Sequence, residues 1–428
     1  MRTLVRGGMV VSMDPAVGHL PRGDVLIENG RIAAIAPTVD GNGAEVVDAT
    51  GKIVMPGFVD SHRHTWQTAF RGLGADWTFD QYRAAMHGTL RRHYRPEDVY
   101  VGNLLGRLEA LSSGVTTLLD WFHCADHPEN ADAAIQALRD APGHSIFCYG
   151  AAGPDIAPEL RRVRAVLPDD DLALGLRGPV MSTMEETAAD VALARELGLR
   201  VSTHVHGTGG WPHGDRPIAD MRERGLLDER TTIVHGNGLS GDQLAMLADA
   251  GSSVSVSPDV ELKMGFAPLV TGRALAAGIR PSLSVDDCLS AGGDMFGAMR
   301  TATAVERAVT ARDVLAFATI DGARACGRDD RTGSLTVGKD ADLVLLDAED
   351  LSVFPVGDPV GTIVTAGHPG LVDSVFVAGK AVKRDGRLLD VDLPALRARL
   401  LESRDRIAAA AGVAVDGSWQ PQDADVTR

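Results

Sequence analysis

The run Ile53-Val54-Met55-Pro56-Gly57-Phe58-Val59 is apolar and leads directly into Asp60-Ser61-His62-Arg63-His64. A short apolar run bounded by turn residues predicts a buried strand, here residues 53–59. Because residues two apart on an extended chain point to the same side, the His-x-His pair can aim two imidazoles at one point. The stretch therefore predicts a strand with two metal-binding side chains at its end.

Seven further strands are predicted downstream, and Ala/Leu/Arg-rich helical stretches lie between them. The strands are residues 115–120, 145–149, 172–176, 200–205, 232–235, 252–257 and 282–286. The helical stretches include residues 96–113, 130–139, 184–197, 241–250 and 270–277. Strands that alternate with helices are typical of a parallel sheet. Eight of them fit an α/β fold of the (β/α)8 TIM-type barrel class.

The two ends of the chain have a different pattern, with short β-runs separated by turns. These runs are residues 3–5, 9–13, 24–27 and 31–35 at one end, and 342–347, 374–379 and 380–383 at the other. We expect both ends to share one small sheet domain. The predicted organisation is a composite β domain (1–56 and 331–392), a catalytic barrel (57–330), and a C-terminal helix with a polar tail (393–428).

The composition excludes several classes of partner. The net charge of −16 over 428 residues argues against a nucleic-acid partner, which would need clustered Lys and Arg. No apolar run reaches the roughly 18 residues needed to span a bilayer, and the first residues do not resemble a secretion signal. Four dispersed cysteines give neither a disulfide framework nor a thiolate metal site. We expect a cytoplasmic homo-oligomer, a dimer or tetramer, with a small-molecule substrate.

Reactive side chains gather at the predicted ends of the barrel strands, which is where barrel enzymes carry their chemistry. His204 and His206 end the fifth strand, His235 ends the sixth, and Asp286 ends the eighth. Three or four imidazole and carboxylate ligands with one open position are what a catalytic zinc site needs. The sequence therefore predicts a divalent metal site at this end of the barrel. Other histidines are expected to be surface or structural residues: His19, His87, His93, His127, His144, His213 and His368.

The segment from Val54 to His64, continued by Gln67, Arg71 and Gly72, resembles the opening signature of the amidohydrolase superfamily. It is most similar to the branch of cytosine deaminase, guanine deaminase and triazine hydrolase. Further matches follow in order along the chain: 114–117 with Asp120, 235–236, 262–265, Asp286 with 294–296, 333–335 and 338–344. The resemblance implies a metal-dependent hydrolase with a (β/α)8 barrel and a small β-sandwich domain built from both chain ends.

The resemblance also implies roles for individual residues. His62, His64 and His204 would be metal ligands, Asp286 a ligand and proton shuttle, and His235 would polarise or orient the attacked group. Binuclear members add a carboxylated lysine on the fourth strand, but residues 172–177 contain no Lys. One metal ion per chain is therefore expected, with Zn²⁺ favoured and Fe²⁺ or Mn²⁺ as alternatives.

The sequence departs from this branch at Gly207, where its deaminases usually carry a Glu that protonates the substrate ring. His206 or Glu261 could replace that acid, or His206 could support the ligands and Glu261 could be an ordinary loop carboxylate. Gln67 is a candidate for hydrogen bonding to the edge of a heterocyclic substrate. The tryptophans Trp66, Trp77 and Trp211 are candidates for apolar walls of the substrate site, with core packing as the alternative.

The function predicted from these residues is attack of metal-activated water on an sp² carbon. Deamination of a nitrogen heterocycle is the leading reaction. The missing Glu keeps three others open: cleavage of an amide or cyclic amide, cleavage of a carbon–halogen bond, and a non-hydrolytic lyase or isomerase reaction.

Overall fold

The computed structural model describes residues 2–150, 153, 155–167, 169–206, 216–266 and 268–421. Over these residues the strands are β1 (Arg2–Val11), β2 (His19–Glu28), β3 (Arg31–Ala36), β4 (Glu45–Asp48), β5 (Lys52–Pro56), β6 (Phe58–Arg63), β7 (Val115–Phe122), β8 (His144–Tyr149), β9 (Leu172–Gly175), β10 (Arg200–Val205), β11 (Thr231–His235), β12 (Ser253–Val256), β13 (Ser282–Leu283), β14 (Leu343–Asp347), β15 (Val372–Val377), β16 (Lys380–Arg384) and β17 (Arg387–Leu388).

The α-helices of the described chain are α1 (Phe79–Tyr82), α2 (Pro96–Ser112), α3 (Pro128–Asp140), α4 (Ala157–Val166), α5 (Met184–Glu196), α6 (Pro217–Glu223), α7 (Gly241–Asp249), α8 (Pro258–Lys263), α9 (Thr271–Ala276), α10 (Met295–Val305), α11 (Ala311–Phe317), α12 (Ile320–Ala325), α13 (Pro359–Ala366) and α14 (Leu393–Ala411). A π-helix (Arg83–Leu90) continues α1, and short 3₁₀ turns occupy Thr65–Phe70, Arg91–His93, Asp169–Asp171 and Pro369–Leu371. No helix in this part of the chain combines the length and the apolar character that crossing a membrane requires.

Strands β6 to β13 form one parallel sheet of eight strands, in which each strand pairs with the next along the chain. The sheet closes through the backbone of Asp286, just after β13. The N–H of Asp286 donates to the carbonyl of His62 at 2.9 Å, and the N–H of His64 donates to the carbonyl of Asp286 at 2.8 Å. The predicted eight-stranded barrel is therefore confirmed.

The first predicted strand, residues 53–59, is wrong as a single element. The chain leaves β5 at Pro56 and enters β6 at Phe58, so the apolar run serves two different sheets. Gly57 lies at the crossing, where a Cβ atom would lie 2.1 Å from Oγ1 of Thr116 on β7. Only glycine permits this close approach of the backbone to the barrel. His62 is consequently inside β6, and His64 directly follows it.

Both ends of the chain contribute to a separate nine-stranded sheet in the order β17-β16-β15-β14-β5-β1-β2-β3, with β4 paired to β1. The two ends of the chain meet in this sheet through the antiparallel pairing of β14 with β5. Since β5 runs straight into β6, this sheet is tied to the first barrel strand. The expectation that the two ends share one sheet is confirmed.

A buried arginine on α2 donates hydrogen bonds to the first residues of two barrel strands. Arg107 is fully buried and donates to the carbonyls of Val115 (3.0 Å), Thr116 (2.8 Å) and His144 (3.1 Å). Its Nε also donates to Oγ of Ser145 at 2.9 Å. Burial lowers the pKa of Arg107 to about 9. The guanidinium therefore holds the starts of β7 and β8 together beneath the catalytic end of the barrel.

Candidate active site

Three imidazoles and one carboxylate converge at the carboxyl end of the barrel. Nε2 of His62 lies 3.2 Å from Nε2 of His204 and 3.5 Å from Oδ1 of Asp286. Nε2 of His64 lies 3.1 Å from the same carboxylate oxygen. Zinc bound at about 2.0–2.1 Å by each ligand in a tetrahedron separates the ligand atoms by roughly 3.3–3.5 Å, so these separations fit such a donor set.

His62 belongs to two overlapping groups of potential ligands, one with His64 and His204 and the other with His235 and Asp286. Among the described residues these are the groups of three or more His, Cys, Asp or Glu side chains whose ligand atoms lie close enough to hold a metal ion. The set contains nitrogen and oxygen donors without thiolate, which suits zinc and other first-row divalent ions. The residues present therefore fit the metal that the sequence predicts.

An unusual backbone conformation at His235 and Asp286 brings these two potential ligands to the site. Asp286 and His235 adopt left-handed φ angles of 67° and 72°, which non-glycine residues rarely do. Such a conformation costs on the order of 1–3 kcal/mol and persists where the surrounding structure enforces it. For Asp286 that enforcement comes from its two main-chain hydrogen bonds to β6 and the residue after it. The same contacts that close the barrel thus bring Asp286 beside His62 and His64.

The site favours neutral forms of His62 and His204 beside an ionised carboxylate. Burial alone would lower the pKa of His64, but its hydrogen bond to Asp286 outweighs burial and raises that pKa. Burial lowers the pKa of His62 to about 4, and burial together with the neighbouring imidazoles holds the pKa of His204 well below its usual range. Burial alone would raise the pKa of Asp286, but hydrogen bonds from His62 and His64 outweigh it and hold that pKa well below the usual range. Neutral imidazole and ionised carboxylate are the metal-binding forms of these groups.

A second layer of residues orients His64. Its Nδ1 lies 2.6 Å from the carbonyl of Trp121, so Nδ1 donates to that carbonyl and Nε2 faces Asp286. The next residue, Thr65, donates through both N–H and Oγ1 to Asp120, at 3.0 and 2.7 Å. Asn103 donates to the other oxygen of Asp120 at 2.6 Å. Contacts of this kind fix the ring orientation of a ligand and its tautomer.

Glu261 lies behind His235 rather than on the pocket wall. Its carboxylate is completely buried, and Oε1 lies 3.1 Å from Nδ1 of His235. The N–H of Ser257 donates to Oε1 at 2.7 Å, and Asn237 donates to Oε2 at 2.9 Å. The opposite nitrogen of His235, Nε2, faces Asp286 at 3.8 Å. The structure thus places Glu261 where it orients His235.

His206 lies on the pocket wall between two phenylalanines. Its ring stacks on Phe266 with centroids 4.6 Å apart and planes 5° apart, and it meets Phe79 edge-on at 4.7 Å. Burial lowers the pKa of His206 to about 3. These contacts with Phe266 and Phe79 fix the orientation of the His206 ring beside the potential metal ligands.

A cavity of about 540 Å³ opens over the ligands, which is a size suited to a small molecule. Its described lining combines the ligand side chains with an aromatic and apolar wall and several cationic residues. The lining outside the ligands includes Phe79, Tyr82, Arg83, His87, Arg91, Trp121, His123, Leu176, Arg177, Val180, Met181, Glu186, His206, Val260, Met264, Phe266 and Asp287.

The residues expected to bind substrate lie elsewhere. Gln67 is completely buried and donates to the hydroxyl of Tyr82 at 2.7 Å, so it supports a pocket residue from behind. Trp66 is also completely buried and packs against Tyr94 at 5.2 Å, while Trp77 packs against Trp419 at 5.4 Å. None of the three is in the described lining. Trp211 and Gly207 lie outside the described residues.

Several pocket residues were missed by the sequence reasoning. His87, expected to be a surface or structural residue, lines the pocket, as does His123, which had no assigned role. Phe79, Arg83 and Arg91 were missed with them. A signal was available, because Phe79, Arg83, His87 and Arg91 recur at every fourth position, the spacing of one helix face.

Relatives with curated descriptions match most of the chain. A 5'-deoxyadenosine deaminase of Methanothermobacter thermautotrophicus is 31% identical over 394 residues, covering 87% of this chain and 91% of the relative. A 5-methylthioadenosine/S-adenosylhomocysteine deaminase of Desulforudis audaxviator is 31% identical over 422 residues, covering 92% of this chain and 96% of the relative. The similarity thus spans both the barrel and the terminal sheet.

Solved structures show the same architecture. An adenosine deaminase from Xanthomonas campestris with bound zinc superposes with a TM-score of 0.87 at 26% identity, covering 95% of this chain and 98% of that one. Atrazine chlorohydrolase TrzN from Arthrobacter aurescens TC1, complexed with zinc, shares the fold with a TM-score of 0.81 at 22% identity, covering 94% and 100%. Residues 53–382 match the amidohydrolase family. The chain therefore belongs to the amidohydrolase family and is a metal-dependent hydrolase.

Proposed function

We propose that this protein is a zinc-dependent aminohydrolase that replaces the amino group of a purine-nucleoside-like heterocycle by oxygen and releases ammonia. The observation that carries the proposal is the convergence of His62, His64, His204 and Asp286 at the base of a cavity of about 540 Å³. The curated relatives described above are deaminases of adenosine derivatives. Their similarity over most of the chain favours a substrate of that chemical class.

The metal would be held by His62, His64, His204 and Asp286. A bound divalent ion such as zinc lowers the pKa of a water ligand to about 7 and so supplies hydroxide near neutral pH. One ion per chain is proposed, because β9 carries no lysine among residues 172–175 that could complete a binuclear centre.

Asp286 is the proposed proton carrier. Its Oδ1 is shared by His62 and His64, while Oδ2 faces Nε2 of His235 at 3.8 Å. A carboxylate in this position accepts the proton released as water attacks the ring carbon, and then delivers it to the departing amino nitrogen. The products are ammonia and the carbonyl form of the heterocycle, so atoms and protons balance with one water consumed.

His235 is proposed to orient the attacked carbon and to stabilise the charge that develops there. The hydrogen bond between Nδ1 and Glu261 holds the ring, which leaves Nε2 directed at the site of attack. Glu261 then acts through His235, as a positioning residue rather than as the acid that donates a proton to substrate.

His206 is proposed to take the place of the glutamate that position 207 lacks, by hydrogen-bonding a ring nitrogen of the substrate. Its stacking on Phe266 fixes the ring, and it is part of the pocket lining. Phe79 and Phe266, in edge-to-face contact at 5.1 Å, offer the aromatic surface against which a heterocycle can pack.

A second candidate function is displacement of a leaving group that needs no proton, such as halide, from the same kind of ring. It is favoured by one observation. The carboxylates in the described pocket lining are Glu186, Asp286 and Asp287, and the sequence has Gly207 where a ring-protonating glutamate is usual. A halide departs as an anion without taking up a proton, so its displacement would tolerate that replacement.

The test is product analysis with the zinc-loaded protein on aminated purines, purine nucleosides, pterins, pyrimidines and triazines, with chlorinated and alkylamino analogues in parallel. Stoichiometric ammonia with incorporation of ¹⁸O from labelled water would support deamination. Chloride release without ammonia would support the second candidate. Turnover without ¹⁸O incorporation would contradict both hydrolytic reactions.

A further inference from the structure

One face of the pocket is built from a single helical segment with a regular row of side chains. Phe79 starts α1, Arg83 starts the π-helix, His87 lies in that π-helix, and Arg91 starts the following 3₁₀ turn. All four line the cavity. Residues four apart share a helix face, and π-helical turns are frequent at functional sites. The segment thus presents two guanidinium groups and one imidazole in sequence along the cavity wall.

The two arginines of this row differ in their partners. Arg91 forms an ion pair with Asp126, at 3.2 Å between Nε and Oδ2. Arg83 lies 5.9 Å from the centre of the Phe79 ring, and within the described ranges no carboxylate lies within ion-pair distance of it. On the other side of the cavity Arg177 is already paired with Asp190 at 3.1 Å. Among the described residues, Arg83 is therefore the arginine of the pocket lining that has no carboxylate partner.

A neighbouring imidazole completes the row. His123 lies 4.8 Å from His87 and 4.3 Å from His64, measured between ring centres. Its Nδ1 is buried and has no hydrogen-bond partner among the described residues. A buried polar atom without a partner is costly, and a ligand in the cavity is a natural source of that partner. His87 and His123 therefore add hydrogen-bonding groups beside the two arginines.

We propose that Arg83, His87, Arg91 and His123 form an anion subsite, so that the substrate heterocycle carries a carboxylate or phosphate group. The assignment rests on the proposed function, since it places the reacting ring at the metal ligands and the anionic group on this row. The guanidinium of Arg83 provides charge, and the imidazoles provide directional hydrogen bonds. Phosphate and carboxylate share this chemistry, and the experiment separates them.

The variants that test the subsite are Arg83→Gln, Arg83→Lys and the control Arg92→Gln. Arg92 is an exposed arginine on the same segment and is absent from the cavity lining. Binding of inorganic phosphate and of acetate to the zinc-loaded protein is measured by isothermal titration calorimetry. Ammonia release is measured on pairs of aminated heterocycles that are identical except for a phosphate, a carboxylate or neither, beginning with adenosine and adenosine 5′-monophosphate.

We expect at least one anion to bind wild type and Arg92→Gln equally, and to bind Arg83→Gln at least tenfold more weakly, with partial recovery in Arg83→Lys. The anionic heterocycle should be favoured at least tenfold in kcat/KM, and Arg83→Gln should remove that preference mainly through KM. Whichever anion shows the larger effect identifies the group.

The subsite is overturned if neither anion binds wild type, or if Arg83→Gln binds as well as Arg92→Gln. It is also overturned if neutral and anionic heterocycles react equally and Arg83→Gln leaves this unchanged, in which case deamination itself still stands. Absence of ammonia from every compound would instead contradict the proposed function. In that case the anion titrations alone would decide the subsite.

Discussion

The imidazole of His235 and the carboxylate of Glu261 are joined by a hydrogen bond of 3.1 Å, and both groups are buried. His235 comes from the end of β11, whereas Glu261 comes from α8, which follows the next strand. Because Glu261 also accepts hydrogen bonds from Ser257 and Asn237, its carboxylate cannot rotate freely. The pair therefore fixes which nitrogen of His235 faces the site.

Replacing the carboxylate of Glu261 by an amide should slow turnover without unfolding the protein. In Glu261→Gln the new NH₂ must face either Asn237 or the donors Ser257 and His235, so the orientation of His235 relaxes. We expect kcat to fall about 10–100-fold with a smaller change in KM, as for other residues that orient an active-site histidine. Steady-state kinetics measure this effect. The matched control is Glu402→Gln, at an exposed position of α14. If Glu261→Gln had a kcat within twofold of wild type, the positioning role would be contradicted.

The role of His206 is separable from its packing. His206→Phe retains an aromatic ring against Phe266 but removes both ring nitrogens. We expect kcat to fall by about 10²–10⁴-fold, the usual contribution of a positioned proton donor or acceptor. The exposed His127→Phe should leave kcat unchanged. Full activity in His206→Phe would exclude hydrogen bonding to the ring nitrogen as the function of this residue.

Arg107 should be a large contributor to stability. Arg107→Met leaves the carbonyls of Val115, Thr116 and His144 without the donors that they have in the native protein. Unpaired buried polar groups cost about 1–3 kcal/mol each, so we expect the free energy of unfolding to fall by about 3 kcal/mol after partial relaxation. Urea denaturation measures this loss. The control Arg397→Met, on an exposed face of α14, should change the free energy of unfolding by less than about 0.5 kcal/mol. An equal effect of both variants would contradict the role of Arg107 in holding β7 and β8 together.

We predict that Lys383, which is not part of the described cavity lining, makes the free energy of unfolding depend on pH. Burial lowers its pKa to about 8, and Nζ donates to the carbonyl of Ser112 at 2.6 Å. The unfolded chain, with a normal lysine pKa, then binds more protons between about pH 8 and 10.5, so this group makes stability rise with pH across that window. Lys383→Met should remove this contribution. Chemical denaturation of both proteins at pH 7 and pH 9.5 tests it, and an unchanged difference between the two pH values would refute the assignment.

Much of the barrel could be predicted from the sequence because its strands are short apolar runs separated by amphipathic helices. The predicted strand 200–205 matches β10, and the predicted helix 96–113 ends one residue later than α2. The failure at residues 53–59 has a physical cause. The hydrophobic pattern predicts that the residues on either side of Gly57 are buried, but it does not predict that they belong to two different sheets.

The sequence could place the predicted metal ligands near one another because they lie at the carboxyl ends of barrel strands or directly after them. One part of the cavity wall could not be predicted, because Phe79, Arg83, His87 and Arg91 come from the segment after β6, where α1, a π-helix and a 3₁₀ turn follow one another. Trp66 and Trp77 were chosen for their size and are core residues, each at most 1% exposed. Glu261 was a candidate for the acid that the sequence lacks at position 207, but only the fold shows that its carboxylate contacts His235 and is absent from the described cavity lining.

The proposed function depends above all on one metal ion, which His62 and His64, His204 of β10 and Asp286 would hold. Its most direct test is the metal content per chain of protein purified without chelator, measured by inductively coupled plasma mass spectrometry for wild type, His62→Ala and Glu402→Gln. We predict about one equivalent in wild type and in Glu402→Gln, and a small fraction of that in folded His62→Ala. Two equivalents in wild type, or equal metal in wild type and His62→Ala, would contradict the mononuclear site.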